Sequence, residues 1–419
     1  MRTFDLTLSH SSLAWFAAFA AFLAMAAGPG GSATASPVDS GGPSFLHVQS
    51  GFELEYNDNI FFTRRNQEAD LISTGTLGLD AGVKTERLEL HFNPSWRYYK
   101  YQDNSSLDDH DQFYRTSLDY KPTPRLSFSS EGAYIIDNRR DDQVDETGVV
   151  FENVERKRWE GLVAADYKLS ELAAVNLFGR YENDDYEDRQ QRSGFSDLET
   201  KGGGLGYTHL LPVFQRPTYF RLNAGYFNFD YDTAETDYYY LTMGASAEIS
   251  EKYAIVIEAG PRYTDSDYDV ARREDGRVVI GEENASNWGG NGLVNLVYTG
   301  EKTNWELALS RDVTASSGET QTVEQTELKL DLNNRWTWEW STHLLLRYFY
   351  KSSDRDNSEA GDIDEDTLVF QPRVRYCFNQ DWFVQGLYRY TWRDDKEDDE
   401  SWDRNQVLLQ IGYNWKILE

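Results

Sequence analysis

The most constraining feature of this chain is a short alternation of apolar and other residues that returns from Phe45 to the C-terminus. It is plain in LELHFN, 88–93, and in VLLQIGYNW, 407–415, where every second residue is apolar. A period of two places alternate side chains on opposite faces of a β-strand, and stretches with a helical period are scarce. The chain is therefore predicted to be all β, as a long series of strands.

Connections of two lengths separate these strands. The short ones fall at 84–86, 121–124, 169–172, 211–217, 250–252, 300–302, 334–336 and 379–380. Longer ones alternate with them at 57–70, 102–111, 137–155, 185–199, 231–236, 265–285, 315–320, 352–366 and 394–403. Together they predict about eighteen strands, within a range of about 16 to 20.

Alternation of short and long connections is typical of an up-and-down barrel in the bacterial outer membrane, with tight periplasmic turns and longer outer loops. A closed sheet leaves no unpaired edge in lipid, whereas a soluble β-protein gains nothing by sorting its loops by length. Aromatic residues, 15% of the chain with 27 Tyr, fit the girdles at the two membrane interfaces. Candidate girdle residues are Trp96, Tyr98, Tyr99, Tyr101, Trp336, Trp338, Tyr413 and Trp415. The predicted fold is a transmembrane antiparallel β-barrel.

The N-terminal segment is typical of a cleaved signal peptide. Arg2 precedes an apolar run, 13–27, and the small residues after it end in Ala33-Thr34-Ala35, an A-x-A site. The run is shorter than the roughly 20 residues that a membrane anchor needs, and no Cys directly follows it to carry a lipid. We therefore predict a signal peptide at 1–35, a linker at 36–44 and the barrel at 45–419.

Charge and cysteine content exclude several classes of function. The net charge of -30 argues against nucleic acid, because phosphate binding needs clustered Lys and Arg. The single Cys377 excludes an internal disulfide, a cysteine metal cluster and a C-x-x-C-H haem site, so no cofactor is predicted. Asp265, Asp267 and Asp269 have the spacing of a calcium loop, but Val270 stands where that loop needs Gly. Loose calcium binding by the acidic outer loops, bridging them to lipopolysaccharide phosphates, stays open.

Catalytic motifs are sparse. The best constellation is Asp108-Asp109-His110-Asp111, where an acid could orient the imidazole for general-base work. A solvated acidic loop with one His explains the pattern better. No G-x-S-x-G occurs, and the glycine run 202–206 lies on a strand without a following helix, which indicates a small-residue wall stretch. The chain is predicted not to be an enzyme.

The segment GFELEYNDNIF, 51–61, resembles the start of the outer-membrane β-barrels encoded in exopolysaccharide operons. Its strand exit consists of Tyr56, Asn57, Asp58, Asn59, Ile60 and Phe61. The resemblance implies a wide barrel through which secreted polysaccharide leaves the cell, with a periplasmic export lipoprotein as a possible partner. The C-terminus is similar to an outer-membrane assembly signal, carried by Gln410, Gly412, Trp415 and Ile417. It departs from that signal by continuing to Leu418 and Glu419, which leaves the end of the last strand open.

If the apolar faces contact lipid, the alternate positions of the strands line the lumen. These positions carry Arg180, Arg221, Arg262, Arg347, Arg373, Arg375, Arg389 and Arg393, together with Glu89, Glu131, Glu160, Glu258, Glu306 and Glu339. Ion pairs that hold the wall are the simpler interpretation. The last four arginines of the first group fall on consecutive strands without an inward acid between them, so they are candidate contacts for a carboxylated or sulfated polymer.

Three functions fit these features. The favoured prediction is a channel that carries a hydrophilic polymer, above all exopolysaccharide, across the outer membrane. The alternatives are a general or solute-specific porin, and a scaffold barrel that sheaths a partner such as a redox protein. About eighteen strands leave an aqueous lumen, and the connections 137–155 and 265–285 are long enough to fold inward and constrict it. Lipid, lipopolysaccharide and the transported solute are the expected partners.

Overall fold

The structure is a computed structural model that describes residues 44–138, 155–186, 196–212, 216–274, 277–315, 322–353, 363–396 and 399–418. Its strands are β1 Ser44–Asn57, β2 Asp70–Lys84, β3 Leu88–Tyr101, β4 Asp109–Thr123, β5 Leu126–Asp137, β6 Arg156–Lys168, β7 Ala173–Tyr186, β8 Leu198–Leu210, β9 Thr218–Tyr231, β10 Ala234–Glu248, β11 Tyr253–Glu274, β12 Arg277–Thr299, β13 Thr303–Ala315, β14 Thr322–Arg335, β15 Trp340–Ser353, β16 Asp364–Cys377, β17 Trp382–Asp395 and β18 Glu400–Leu418. A 3-10 turn, Ser105–Leu107, lies between β3 and β4. In the described part of the chain, no helix is long and apolar enough to cross a membrane.

The strands form one closed antiparallel sheet. Each strand pairs with the next along the chain, and β1 pairs with β18 in a register that sets Phe52 opposite Ile411. The prediction of an 18-stranded barrel is therefore confirmed. The tight turns, such as the one between Lys84 and Leu88, lie at the same end as the start of β1 and the end of β18. This is the periplasmic end of an outer-membrane barrel.

The outer surface has the features of a membrane belt. Leu177, Leu309 and Leu409 on outward positions are 60%, 47% and 57% exposed, as expected for side chains that contact lipid. Two rows of rings border this apolar band. On β11, Tyr253 belongs to the periplasmic row and Tyr263 to the extracellular row, and the ten residue steps between them span about 23 Å at about 3.3 Å per residue and a tilt of about 45°.

The aromatic rows continue on neighbouring strands as girdles. Tyr253, Tyr298 and Trp305 lie 4.9 and 5.9 Å apart between successive ring centroids at the periplasmic side. At the other side, Tyr239, Tyr263 and Trp288 are separated by 6.3 and 5.1 Å. Their separation matches the height of about 25 Å that is typical of an outer-membrane band. The chain is thus a transmembrane barrel of the bacterial outer membrane.

Three predicted connections differ from the structure. The connection 231–236 is short, because β9 ends at Tyr231 and β10 begins at Ala234. The stretch 265–285 belongs almost wholly to β11 and β12, which pair as far as Glu274 and Arg277. In both places, charged residues that indicate a loop instead belong to the paired ends of two strands.

The periplasmic turn after β14 is shifted from its predicted place. Since β14 runs to Arg335 and β15 begins at Trp340, Trp336, Trp338 and Glu339 belong to the turn. Glu339 is therefore not a wall residue of the lumen. The predicted signal peptide and all but the last residue of the linker lie outside the described residues, and β1 begins at Ser44, the last linker residue. The predicted division of the chain stays a prediction.

Candidate transport lumen

The burial of inward side chains differs between the two ends of the lumen. Inward side chains in the extracellular half of the wall are buried, as at Asn57, Asp184, Lys351 and Gln406, which are 3%, 0%, 0% and 2% exposed. Inward side chains near the periplasmic turns, such as His343, are only partly buried. The passage is therefore open at the periplasmic mouth and closely packed toward the outside.

A division of the wall between β12 and β13 explains part of this packing. The two strands pair from Thr299 opposite Asn304 only as far as Gly292 opposite Arg311. Beyond this point β12 continues with β11, whereas β13 continues with β14 as far as Ala315 opposite Thr322. The end of the β13–β14 hairpin, which we call the β13–β14 tip and define as Arg311–Ala315 with Thr322–Gln325, therefore separates from β12.

The β13–β14 tip turns into the lumen. Val313 shares a face of β13 with the lipid-exposed Leu309, yet it is 6% exposed and packs in one cluster with Phe229 and Tyr238 from the inner face of β9 and β10. The outer face of the tip thus rests on the inner face of the opposite sheet segment. This inward segment replaces the one expected at 265–285, which stays in the hairpin of β11 and β12. The other expected segment, 137–155, lies mostly outside the described residues.

Polar contacts fix the β13–β14 tip in this position. Glu324 of β14 pairs with Arg262 of β11 and also with Arg311 of β13. The hydroxyl of Tyr238 donates to the carboxylate of Asp312. The side chain of Arg262 is fully buried, so the pair with Glu324 is shielded from water. Two strands that are not neighbours in the sheet are thus joined across the lumen side.

Sequence patterns carried a signal for this tip that the prediction missed. Arg311 lies on the same face of β13 as Leu309, and Glu324 on the same face of β14 as Leu328, so a simple wall would expose both charges to lipid. Charged side chains on the lipid face of a barrel cost about 2–4 kcal/mol near the membrane centre. Charges in the lipid-facing register indicate that the strand has left the wall.

Most of the predicted lumen arginines are paired with carboxylates. The guanidinium of Arg347 lies 2.8 Å from Glu327, that of Arg180 2.6 Å from Glu182, and Arg262 pairs with Glu324. Two further bidentate pairs, Arg156 with Asp137 and Arg158 with Asp184, brace β5, β6 and β7. These contacts agree with the interpretation of ion pairs that hold the wall.

The expected group of four arginines on β16 and β17 is divided. Arg393 pairs with Glu365, an inward residue of β16, so the prediction that no inward acid accompanies the group is wrong. The ring of Trp402 lies 5.2 Å from the Arg393 guanidinium carbon. Arg389 is buried, with 7% exposure. Neither side chain is free to meet a solute, and both belong to the packed extracellular half.

Arg373 and Arg375 remain as the available pair. Both Nε and Nη2 of Arg375 donate to the Gln385 carbonyl oxygen, at 2.9 and 2.6 Å, and its guanidinium lies 4.3 Å from the Phe383 ring centroid. The side chain of Arg373 makes no hydrogen bond or ion pair with the residues that the structure describes. The two side chains face the same way on β16, two residues apart, and Gln385 holds one of them in place.

These two arginines line a cavity at the periplasmic mouth. The cavity has a volume of about 360 Å³, and its wall includes Glu301, Lys302, Asn304, Asn333, Asn334, Arg335, Ser341, Thr342 and His343. The imidazole of His343 contacts the carboxylate of Asp331, 3.1 Å away. Four cationic side chains against one glutamate make this mouth a site of positive potential in an otherwise acidic chain.

The first-loop motif closes the seam between the first and last strands. The backbone and side-chain amides of Asn405 in β18 donate to the two carboxylate oxygens of Asp58, at 2.7 and 2.8 Å. The Asn59 amide donates to the backbone carbonyl of Asp403 at 3.0 Å, and Asn57 accepts from the Asn59 backbone at 3.1 Å. We call these residues the seam clasp. Their polar side chains form hydrogen bonds with backbone groups of the turn, as the sequence predicts. They also form hydrogen bonds with β18, near the C-terminus.

The apolar part of the same motif points into the lumen. Ile60 is 6% exposed and packs with Ile72 and Tyr99, with Phe61 beside them. Phe62 meets Trp402 edge to face at 6.2 Å and lies under the Arg404 guanidinium at 4.9 Å. Tyr56, by contrast, faces outward and is 51% exposed. The loop between β1 and β2 therefore folds over the extracellular end of the lumen.

The predicted assembly residues occupy both faces of the last strand. The carbonyl of Gln410 accepts from Gln385 inside the barrel at 2.6 Å, and Gly412 lies against the Phe383 ring. Trp415 and Ile417 face lipid and are 55% and 47% exposed. Since β18 continues to Leu418, the strand extends past the predicted signal. A role of these residues in assembly stays a prediction.

Polar side chains at the extracellular mouth titrate away from their usual ranges. Burial of Asp70 acts to raise its pKa, but hydrogen bonds from the Asn104 amide and from the backbone of Asp103, Asn104 and Leu71 outweigh burial and hold the pKa low. The pKa of Lys396 is raised by hydrogen bonds to Asp364 and then Asp366. Through these hydrogen bonds, both side chains connect an extracellular connection to the end of a strand.

The other candidate residues, predicted for catalysis or for calcium binding, do not form a site among the described residues. His110 lies at the exposed start of β4, 3.3 Å from Asp109 and 3.1 Å from Gln112. Asp265 and Asp267 lie on β11, where the Asn284 amide reaches Asp267 at 2.8 Å. Within the described ranges, no group of three or more His, Cys, Asp or Glu side chains is arranged to hold a metal.

Comparison with known proteins identifies the fold. No family model matches the chain, and no curated protein matches it. The ferric citrate transporter FecA in its unliganded form matches with a TM-score of 0.50 and 9% identity, over 92% of this chain and 82% of that chain. OccAB1 of Acinetobacter baumannii matches with a TM-score of 0.45 and 10% identity, over 92% and 100% of the chains.

OpdL of Pseudomonas aeruginosa has a TM-score of 0.40 and 11% identity, over 90% and 99% of the chains. At these identities the likeness to FecA is one of fold alone, and it agrees with a membrane barrel. The chain is therefore an outer-membrane β-barrel that is similar in fold to the ferric citrate transporter FecA.

Proposed function

We propose that this barrel is a passive outer-membrane channel for hydrophilic solutes, with a preference for anions. The observation that carries the proposal is the pair Arg373 and Arg375, two residues apart on the lumen face of β16, neither of which forms a salt bridge with a carboxylate of the described residues. Lys302 and Arg335 add positive charge to the same cavity. A cluster of cations in a channel mouth raises the local concentration of anions.

The polarity of the two faces of the wall supports a passive route through the barrel. The lumen wall is polar and charged, as water-filled barrels require, and the lipid face is apolar. Paired arginines elsewhere in the wall supply stability and no net charge. The selectivity of the channel thus depends on the few cations that the wall leaves available.

Conductance of the folded barrel in a planar bilayer tests this function. We expect discrete openings with anion selectivity, and a fall of about two- to threefold in the ratio of anion to cation permeability when Arg373→Gln and Arg375→Gln are combined. The matched control is Arg87→Gln with Arg125→Gln, which removes equal charge from exposed periplasmic turns outside the cavity. An unchanged ratio in the cavity variant, or an equal fall in the control, would contradict the assignment of selectivity to this mouth.

Export of an exopolysaccharide is the second candidate. It is supported by the resemblance of residues 51–61 to barrels of exopolysaccharide operons. A polymer would have to pass the extracellular half of the lumen, where the β13–β14 tip and the first loop occupy space. Export therefore requires that one of these segments moves. Block of the open channel by acidic oligosaccharides, and not by chloride-sized anions, would favour export over a general porin.

A scaffold that sheaths a redox protein comes last. The wall's own segments fill the extracellular half of the lumen, so less room is left for a folded partner. A folded barrel that never conducts would nevertheless restore this alternative.

A further inference from the structure

A patch of aromatic side chains covers the inner wall of β7, β9 and β10. The ring centroids of Phe178 and Phe227 are 6.3 Å apart, and those of Phe227 and Tyr240 are 6.4 Å apart with an angle of 13° between the ring planes. Phe229 and Tyr238 extend the patch toward the outside, with Phe229 stacked on Phe227 at 6.3 Å. The rings form a continuous surface in a lumen that is otherwise polar.

Glycines on the neighbouring strands make room for three of these rings. Gly202 lies opposite Phe227, Gly204 opposite Phe178 and Gly225 opposite Tyr240. A Cβ atom on Gly202 would lie 2.5 Å from a Phe227 ring carbon, and one on Gly204 would lie 2.7 Å from a Phe178 ring carbon. Because the glycines carry no side chain, the rings lie flat over the backbone. Each of these three rings therefore lies close to the backbone of the wall.

Exposure separates the three flat rings from the other two. Phe229 and Tyr238 are 7% and 2% exposed, because they pack in the cluster that includes Val313 of the β13–β14 tip. Phe178, Phe227 and Tyr240 are only partly buried, although Phe227 and Tyr240 also contact that cluster. We call these three residues the aromatic platform. Packing against the β13–β14 tip buries the first two rings, whereas it leaves part of each of the other three exposed to the lumen.

Polar groups surround the platform. A cavity of about 310 Å³ is bounded by Phe227 and Tyr240, by Arg180, Glu182 and Thr200, and on the opposite side by the β13–β14 tip. Arg180 and Glu182 pair at 2.6 Å, and the Arg180 side chain is 54% exposed. On the other flank, Asn223 donates to Glu258 at 3.0 Å, and Glu258 also pairs with Arg221. Flat apolar faces are thus bordered by donors and acceptors of both charges.

We propose that the aromatic platform is a binding subsite for a hexopyranose unit of an oligosaccharide. A pyranose ring presents C–H groups on one face and hydroxyl groups at its edge, so it needs a flat apolar surface with a mixed polar border. An acyl chain would leave Arg180 and Glu182 without water, and a free phosphate would meet Glu182 and Glu258. The cavity is within the range of small-molecule sites. This inference deepens the proposed channel function by naming the class of solute.

Direct binding to the folded barrel in detergent tests the subsite. We would titrate maltohexaose, a neutral hexopyranose oligomer, and follow saturation transfer from the protein to the sugar protons. Phe227→Leu and Tyr240→Leu keep apolar volume but remove the flat face, so each should weaken binding about three- to tenfold. Phe370→Leu, the same change on the lipid face, is the matched control and should leave the affinity unchanged.

The outcomes separate the subsite from the channel. Folded leucine variants that keep the affinity of the parent barrel would overturn the platform, and so would an absence of any binding by the parent. A barrel that conducts ions but does not bind the sugar refutes the subsite and leaves the channel standing. A barrel that binds the sugar through these rings but never conducts supports the subsite and refutes the open channel.

Discussion

At the scale of the residue, the role of a lumen arginine depends on whether a carboxylate lies across the strand. Arg347 and Arg393 each meet an inward glutamate and serve the wall, whereas Arg373 meets none among the described residues. The alternation of the sequence predicts that all three face inward. It does not predict partners, because cross-strand neighbours depend on register, and a strand's register is fixed only when the sheet closes.

Asp70 is expected to make the extracellular mouth sensitive to acid. Its pKa is lowered in the folded barrel, so its carboxylate stabilises the fold above its unfolded pKa, and this stabilisation is lost as the pH falls through the folded pKa. Asp70→Asn should lower the midpoint of heat unfolding by about 2–4 °C at pH 7. The difference from the parent should shrink toward pH 3. The measurement is the heat-induced gel shift of the folded barrel at both pH values.

Asp103→Asn is the control for this residue, because Asp103 is exposed and contributes only its backbone N–H to the Asp70 carboxylate. It should not change the pH dependence. A difference between Asp70→Asn and the parent that is equally large at pH 3 and pH 7 would rule out the titration of Asp70 as the cause.

At the scale of the element, periodicity predicts the strands well and their ends poorly. The strand count and the order of the sheet follow from the alternation. The prediction missed the ends of β11 at Glu274 and of β12 at Arg277, because the acidic and basic residues there indicate a loop. The two strands nevertheless continue to pair beyond the aromatic girdle. Polarity along a barrel strand marks where the strand leaves lipid. It does not mark where backbone pairing stops.

The β13–β14 tip is expected to restrict the conducting path. Glu324 is the carboxylate shared by Arg262 and Arg311, and removing one partner of a buried pair costs about 3–5 kcal/mol. Glu324→Gln should therefore loosen the tip and raise the single-channel conductance, on the order of twofold. Glu327→Gln is the matched control, because Glu327 pairs with Arg347 within the wall. Equal conductance in Glu324→Gln and the parent would mean that the tip does not narrow the path.

At the scale of the whole molecule, the barrel depends on joining its two ends. β1 and β18 are 344 residues apart where Asn59 meets Asp403, yet they must pair as closely as neighbours along the chain. Closing so long a loop is slow and entropically costly before contacts form. Polar side chains of the first loop add specific contacts at this seam. The resemblance in residues 51–61 did not predict these contacts, because they depend on which strand of the barrel pairs with β1.

The seam clasp is therefore expected to contribute to the stability of the closed barrel. Asp58→Ala removes the acceptor of two Asn405 hydrogen bonds, and hydrogen bonds to charged groups contribute about 1.5–3 kcal/mol each. The heat-induced gel shift should move to lower temperature, and refolding into detergent should give less closed barrel. Gln67→Ala, at an exposed position of the same loop, should behave like the parent. If both variants unfold at the parent's temperature, β1 and β18 are held by backbone pairing alone, and the seam clasp is not needed for closure.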